Sequence, residues 1–350
     1  MAYTTIDDPS AYFQTKIYTG SDNGALTQVV TNDGNSDLQP DWIWIKRRNS
    51  AANHSITDTV RGLTIGLSTS TTAAEVNDDF GVTAVGSDSF SVRENTSAQG
   101  QVNTGTLVAW QWKAGGSASS NSNGSITSSV SANTTAGFSI VSYTGTGSNA
   151  TVGHGLGVAP KMIIAKKRSA TGTWGVYHES IGNAKGLFLN STSAESNEPA
   201  FWNSTSPTSS VFSVGTSGDI NGGSATQIAY CFSEKQGYSK FSSYTGNGNA
   251  NGPFVYTGFR PAFIIAKKTS STSDWGIYDN KRNTFNVMDL RLKANSSGAD
   301  DQSSDNNIDF LSNGFKHRTA SGWNAAATYI YMAFAEQPFV TSTGVPATAR

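Results

Sequence analysis

Residues 137–169 read GFSIVSYTGTGSNATVGHGLGVAPKMIIAKKRS. The run Phe138-Ser-Ile-Val-Ser-Tyr143 has the period-two character of a strand. Tyr143-Thr144-Gly145 and a Gly/Ser/Asn stretch interrupt it. Pro160 then opens a fully apolar run, Met162-Ile-Ile-Ala165, which closes on Lys166-Lys167-Arg168. A proline at a strand start sits where its missing N–H does least harm. The stretch therefore reads as strand, turn-rich loop, strand.

The same order occurs twice more. Tyr18-Thr19-Gly20 leads to Pro40 and PDWIWIKRR, and Tyr244-Thr245-Gly246 leads to Pro261 and PAFIIAKKT. The proline follows the tyrosine by 17 residues in the second and third copies and by 22 in the first. A lysine follows the proline by six residues in all three, at Lys46, Lys166 and Lys267. Trp174-Gly-Val-Tyr177 and Trp275-Gly-Ile-Tyr278 match each other, with His54 in the first copy at that place. Phe-centred strands follow at Phe90, Phe212 and Phe315. Each copy closes on an aromatic-rich strand: LVAWQWK to Lys113, QIAYCFS to Ser233 and YIYMAFA to Ala335. Matched spacing on this scale marks one duplicated supersecondary unit.

The expected fold is all-β, with three tandem antiparallel β-sandwich, jelly-roll-like domains and about seven strands in each. No helical period persists over the chain. The expected boundaries are repeat 1 at 1–114, a flexible Gly/Ser/Asn linker at 115–123, repeat 2 at 124–236, repeat 3 at 237–337, and an extended tail at 338–350. The short junction at 234–237 predicts tighter coupling between repeats 2 and 3 than between 1 and 2.

The chain has 350 residues, only 14% of them charged, and a formal net charge of −1. That argues against a nucleic-acid binder. Aromatics at 11% exclude general disorder. Cys231, the single cysteine, lies in an apolar run and reads as a buried structural thiol. MAYTTIDDPS has no basic n-region and no apolar h-region, so no secretory signal is expected. No apolar run approaches a membrane span.

The search for chemistry is mostly negative. His54, His154, His178 and His317 have no metal-site spacing, and His178 beside Glu179 reads as a pair of satisfied polar side chains at the surface. There is no nucleophile elbow. Gly153-His-Gly-Leu-Gly157 lacks the lysine of a phosphate loop and reads as a turn. Asp33-Gly-Asn-Ser-Asp37 spaces its oxygens like the start of a calcium loop, but Leu38 stands where the glycine should be. The repeats share no carboxylate for glycoside hydrolysis. No cofactor or metal is expected, and the chain reads as a non-enzyme. The runs Lys46-Arg47-Arg48, Lys166-Lys167-Arg168 and Lys267-Lys268 read as solvated gatekeepers of strand edges. If the copies were arranged symmetrically, they would instead form a cationic ring for an acidic partner or glycan. Trp174 and Trp275 read as core. Trp202 and Trp323, in Asn/Ser-rich loops, are the candidates for surface contact.

Laid out in this way, the quoted stretch resembles the repeated β-domain virion structural proteins of marine tailed bacteriophages. So do WGVYHESIG, IAYCFSEKQGYSKFSSYTGNGNANGPFVYTGFRPAFIIAKKTS, TYIYMAFAEQPF, SDLQPDWIWIKRR and VAWQWKA. The resemblance covers essentially the full length and brings no catalytic residues with it. It implies a protein assembled in the host cytoplasm and displayed on the virion surface. The favoured reading is a tail-fibre or adsorption protein, a homo-oligomer and by preference a trimer, touching a host glycan or protein. The alternative is a capsid decoration protein on the major capsid shell. A depolymerase is the third reading. The first repeat lacks the Trp motif and carries Lys46-Arg47-Arg48, so it is assigned to attachment, with repeats 2 and 3 projecting.

Overall fold

A computed structural model of the chain describes residues 2–21, 27–77, 81–93 and 101–348. Met1 of repeat 1 and residues 349–350 of the tail lie outside them. Repeat 1 contains β1 (Phe13–Thr19), β2 (Gln28–Thr31), β3 (Trp42–Arg47), β4 (Ser55–Asp58), β5 (Gly62–Leu67), β6 (Val76–Asn77), β7 (Gly81–Gly86), β8 (Ser89–Arg93) and β9 (Thr106–Trp112). Repeat 2 contains β10 (Ser119–Asn121), β11 (Ser128–Asn133), β12 (Phe138–Thr144), β13 (Ala150–Gly153), β14 (Met162–Lys167), β15 (Trp174–His178), β16 (Lys185–Phe188), β17 (Ser196–Asn197), β18 (Val211–Val214) and β19 (Thr226–Phe232). Repeat 3 contains β20 (Ser239–Thr245), β21 (Phe254–Tyr256), β22 (Phe259–Lys268), β23 (Trp275–Asp279), β24 (Leu290–Lys293), β25 (Asp301–Gln302), β26 (Ile308–Leu311), β27 (Gly314–His317) and β28 (Thr328–Pro338). Among the described residues, helix is confined to short 3₁₀ turns and two four-residue α turns. The fold is all-β.

The sheets carry the duplication into three dimensions. Each repeat has a large sheet, ordered β1-β9-β3-β4-β5-β6, then β12-β19-β14-β15-β16-β17, then β20-β28-β22-β23-β24-β25. Repeat 2 extends its large sheet by β11 and β10. Each repeat also has a small sheet: β2-β8-β7, β13-β18 and β21-β27-β26. Repeat 2 lacks the third strand there. The strand pairs are antiparallel and keep equivalent registers, such as Phe13 opposite Trp112 and Phe138 opposite Phe232.

The apolar runs owe their continuity to burial on both faces. The outer face of each large sheet packs on its small sheet, giving three separate cores. Ile43, Ile45 and Phe90 belong to one, Ile163, Ala165 and Phe212 to another, and Ile264, Ala266 and Phe315 to the third. The inner faces converge on one shared core. Trp42, Trp44, Trp110 and Trp112 meet Met162, Trp174, Tyr230 and Phe232, and these meet Phe241, Phe263, Met332 and Phe334. The rings of Trp42 and Tyr230 lie 4.5 Å apart, and those of Phe13 and Phe334 lie 5.1 Å apart. Strands buried on both sides lose the polar alternation of a one-sided strand. In the small sheets β8 and β21 keep it, every second residue being buried.

The three repeats are therefore not beads in series. Equivalent hydrogen bonds join each repeat to the next and close the ring. Gly172 N–H donates to Thr72 O (2.9 Å), Ser273 N–H to Thr192 O (2.8 Å) and Ala52 N–H to Ser297 O (2.9 Å). In the reverse direction, Glu75 N–H donates to Arg168 O, Glu195 N–H to Thr269 O and Asp300 N–H to Arg48 O. Trp174 Nε1–H reaches Ser68 O (2.8 Å), and Trp275 Nε1–H reaches Phe188 O (2.9 Å). His54 Nε2 completes the set 3.0 Å from Lys293 O. His54 thus stands in for tryptophan as a seam group.

The expected flexible linker at 115–123 is folded. Its residues 119–121 form β10 on β11, and Gly115 N–H donates to Ser131 Oγ at 3.0 Å. The seams have equivalent bonds, so the expected looser coupling of repeat 1 is not found. The tail also folds back: Ala347 is buried, Ala347 N–H donates to Phe339 O, and Ser342 N–H donates to Asp7 Oδ1.

Candidate functional site

The sequence-predicted cations lie in the seams. Lys46, Lys166 and Lys267 are fully buried, because each still belongs to a strand with both faces covered. Lys166 Nζ donates to Thr72 O (3.3 Å) of the adjacent repeat and to Lys167 O (2.8 Å). Lys267 Nζ does the same with Thr192 O (3.2 Å) and Lys268 O (2.9 Å), and Lys46 Nζ donates to Arg47 O (2.6 Å). Burial pulls all three ammonium groups down to about 8. Arg48 pairs with Asp300 (2.8 Å), and Arg168 pairs through two nitrogens with Glu75 (2.8 and 3.1 Å). Arg47 bonds Asn49 and Gln101, and Lys268 lies 5.9 Å from the Tyr329 ring. Lys167 is half-buried beside them. Neither the gatekeeper nor the cationic-ring reading describes this arrangement. The copies are ring-ordered, but the recurring lysine is turned inward, Arg48 and Arg168 are committed to ion pairs, and Arg47 is bonded to Asn49 and Gln101.

The predicted aromatic contacts are core as well. Trp202 is 1% exposed and Trp323 is 4% exposed. Trp323 lies on the backbone of Gly276, where a Cβ would stand 2.7 Å from its ring, and its Nε1–H donates to Ala266 O. Phe201 covers Gly175 in the same way, at 2.6 Å. The glycine of the Trp-Gly-x-Tyr motif leaves room for a ring from the loop. Trp174, Trp275, Tyr177 and Tyr278 are also buried. His178 is buried, not a surface polar group: its Nδ1 accepts from Ser180 N–H, and its Nε2 lies 3.2 Å from Tyr331 O. The Asp33 carboxylate is taken up by Lys16 (3.1 Å) and Lys281 (3.0 Å), which is not calcium-loop chemistry. Among the described residues, no cluster of three or more His, Cys, Asp or Glu is placed to hold a metal.

Among the described residues, the exposed apolar side chains lie elsewhere and are unevenly shared. Phe254, Tyr256, Phe285, Val287 and Val345 belong to repeat 3 or its tail, against Val29 in repeat 1 and Val158 in repeat 2. Phe254 (45% exposed) and Tyr256 (52%) alternate with buried Val255 on β21, so both rings stand on the outer face of the small sheet. The Phe254 ring leans over Gly314, where a Cβ would meet it at 2.9 Å. Register makes Val29 and Thr151 the equivalents of Phe254, since Val30, Val152 and Val255 face Phe90, Phe212 and Phe315. Thr31 and Gly153 likewise match Tyr256. Phe285 (75% exposed) stands on the loop beside β26, which the Asn286 side chain pins to Phe310 N–H and O.

Tyr3 continues this row from the amino-terminal segment. Its hydroxyl donates to Gly258 O (2.8 Å) and lies 3.0 Å from the Tyr256 hydroxyl. Burial, with Tyr256 beside it, pushes the Tyr3 phenol above its ordinary range. The period-two pattern of Phe254-Val-Tyr256 was the available sequence signal for this face. It is only three residues long, and nothing in the sequence brings Tyr3 to it.

The family model of DUF7483, a domain of unknown function, matches residues 8–338, and the chain belongs to that family. The match spans all three repeats. No curated protein matches the chain.

Proposed function

We propose that this member of the family is a non-enzymatic structural protein of a bacteriophage virion. It is displayed on the particle surface, where it contacts the host as a tail-fibre or adsorption protein. The observation that carries this reading is the break in symmetry. Three repeats share one core and equivalent seams, yet among the described residues only those of the third present a row of exposed aromatic rings. Solvent-exposed aromatics cost solubility, and a row of them on one repeat marks a contact face. The shared core would hold that face rigidly, and rigid presentation lowers the entropy cost of binding. The low-charge Ser/Thr/Asn/Gly surface and the resemblance to marine phage proteins support the same reading. The contact is accordingly assigned to repeat 3 and not to repeat 1.

Capsid decoration is the second reading, favoured by the closed pseudo-threefold ring, which has no shaft among its described residues. Each chain supplies a threefold arrangement by itself, so a trimer of chains would add a further level of symmetry. Quantitative mass spectrometry of purified virions against the major capsid protein tests these readings. A few copies to a few dozen place the protein on the tail. Hundreds of copies make it a shell decoration. Absence from washed virions overturns both.

A further inference from the structure

We infer that the groove beside Tyr3 and Tyr256 on the third repeat binds an uncharged pyranose unit of a surface glycan. This deepens the surface-contact reading and rests on it. The groove has a volume of about 250 Å³, and its lining includes Tyr3, Tyr256, Glu234, Gln236, Lys240 and Thr257. Two glycines let the amino-terminal segment form its wall. At Gly258 (φ +84°) a Cβ would stand 2.7 Å from the Tyr3 hydroxyl. At Gly237 (φ +77°) it would stand 2.9 Å from the Thr4 side chain, whose hydroxyl donates to Gln236 O. Tyr3 is backed by Phe339 in an edge-on contact, with ring centroids 6.2 Å apart.

The lining selects the class of ligand. A pyranose has a C–H-rich face and a rim of hydroxyls that both donate and accept. Tyr256, half-exposed and continued by Phe254 on the same strand face, offers an aromatic surface for the first. The Gln236 amide, the Glu234 carboxylate and the Lys240 ammonium offer acceptors and donors for the second. Glu234 and Lys240 pair at 2.7 Å, so the groove holds no net charge to draw a phosphate or a nucleic acid. The volume falls just below the roughly 300–1,000 Å³ of drug-sized sites, which suits one sugar ring better than a folded protein edge. The row from Tyr256 to Phe254 gives a second ring of the same glycan somewhere to lie.

Saturation-transfer NMR of the full chain tests this, with the methyl pyranosides of glucose, galactose, mannose, rhamnose and N-acetylglucosamine as probes. At least one should receive saturation. Tyr256→Ala and Gln236→Ala should each weaken it about tenfold or more, with melting temperatures unchanged because both side chains are exposed. Transfer that survives both substitutions overturns the assignment, and so does the absence of transfer to every probe. Adhesion of the same proteins to cells of the host used to grow the virions separates the two levels. If Tyr256→Ala abolishes adhesion while no pyranoside binds, the face meets a protein: the saccharide assignment falls and the surface-contact reading stands. If wild-type protein binds neither cells nor sugars, both fall.

Discussion

His54, His154, His178 and His317 are all buried. Desolvation holds His54 and His317 near 3 and His178 near 4, and it lowers His154 as well. The unfolded chain binds these protons near pH 6.5, so between 6.5 and about 4 it takes up more protons than the native state. Stability is therefore lost as pH falls through that window, by up to about 1.4 kcal/mol per pH unit for each histidine. Asp41, raised chiefly by burial, acts in the opposite sense. The three seam lysines titrate near 8 when folded and near 10.5 when unfolded, so they add stability as pH rises from 8. Buried tyrosines such as Tyr143 and Tyr230, shifted upward by burial, remove stability above pH 10. Melting temperature measured from pH 4 to 11 should climb to 6.5, flatten, and peak between 8 and 10. A flat profile below 6.5 would show that the histidines are hydrated.

At the scale of the element, the Tyr-Thr-Gly motif is a strand end clamped by a buried asparagine. The hydroxyls of Tyr18, Tyr143 and Tyr244 donate to Val102 O, Ile220 O and Trp323 O at 2.6, 2.6 and 2.8 Å. The next residue in each case, Asn103, Asn221 or Asn324, is fully buried and bonds the turn after the motif. The glycine must follow, since a Cβ on Gly20, Gly145 or Gly246 would lie 2.1 to 2.4 Å from the facing backbone. The asparagines were legible only as a recurring residue shortly before each closing strand, because the loops around them share no other wording. Seam elements differ more. Arg168–Glu75 is a two-bond ion pair with both side chains mostly covered, whereas Thr269 replaces the arginine at the next seam. Arg168→Met should cost about 1–2 kcal/mol in urea unfolding, and Glu75→Gln a similar amount. The double variant should cost less than the sum. Strict additivity would mean that the pair does not couple.

At the scale of the whole molecule, the shared core forbids independent repeats. Repeat 2 alone would present Phe138, Met162, Trp174, Tyr230 and Phe232 to water on the face now covered by its two neighbours. Calorimetry of the chain should show one transition, with calorimetric and van't Hoff enthalpies in agreement. A fragment of residues 124–236 should lack dispersed amide NMR signals. Three resolved transitions, or a folded fragment, would restore the picture of beads on a string.

The sequence by itself determined the all-β class, the threefold repetition, the strand carried by each motif and the burial of Trp174, Trp275 and Cys231. Those follow from local periodicity and turn chemistry, which act over a few residues. Only the tertiary structure decided that the repeats close into a ring, that Lys46, Lys166 and Lys267 point into its seams, and that Trp202 and Trp323 are core. An apolar run such as MIIA is equally satisfied between two sheets of one sandwich or between a sandwich and its neighbours. What separates these cases is which inner faces meet, a relation between residues more than a hundred positions apart. The same distance hid the candidate site, because Tyr3 and Tyr256 become neighbours only when the third repeat closes on the first.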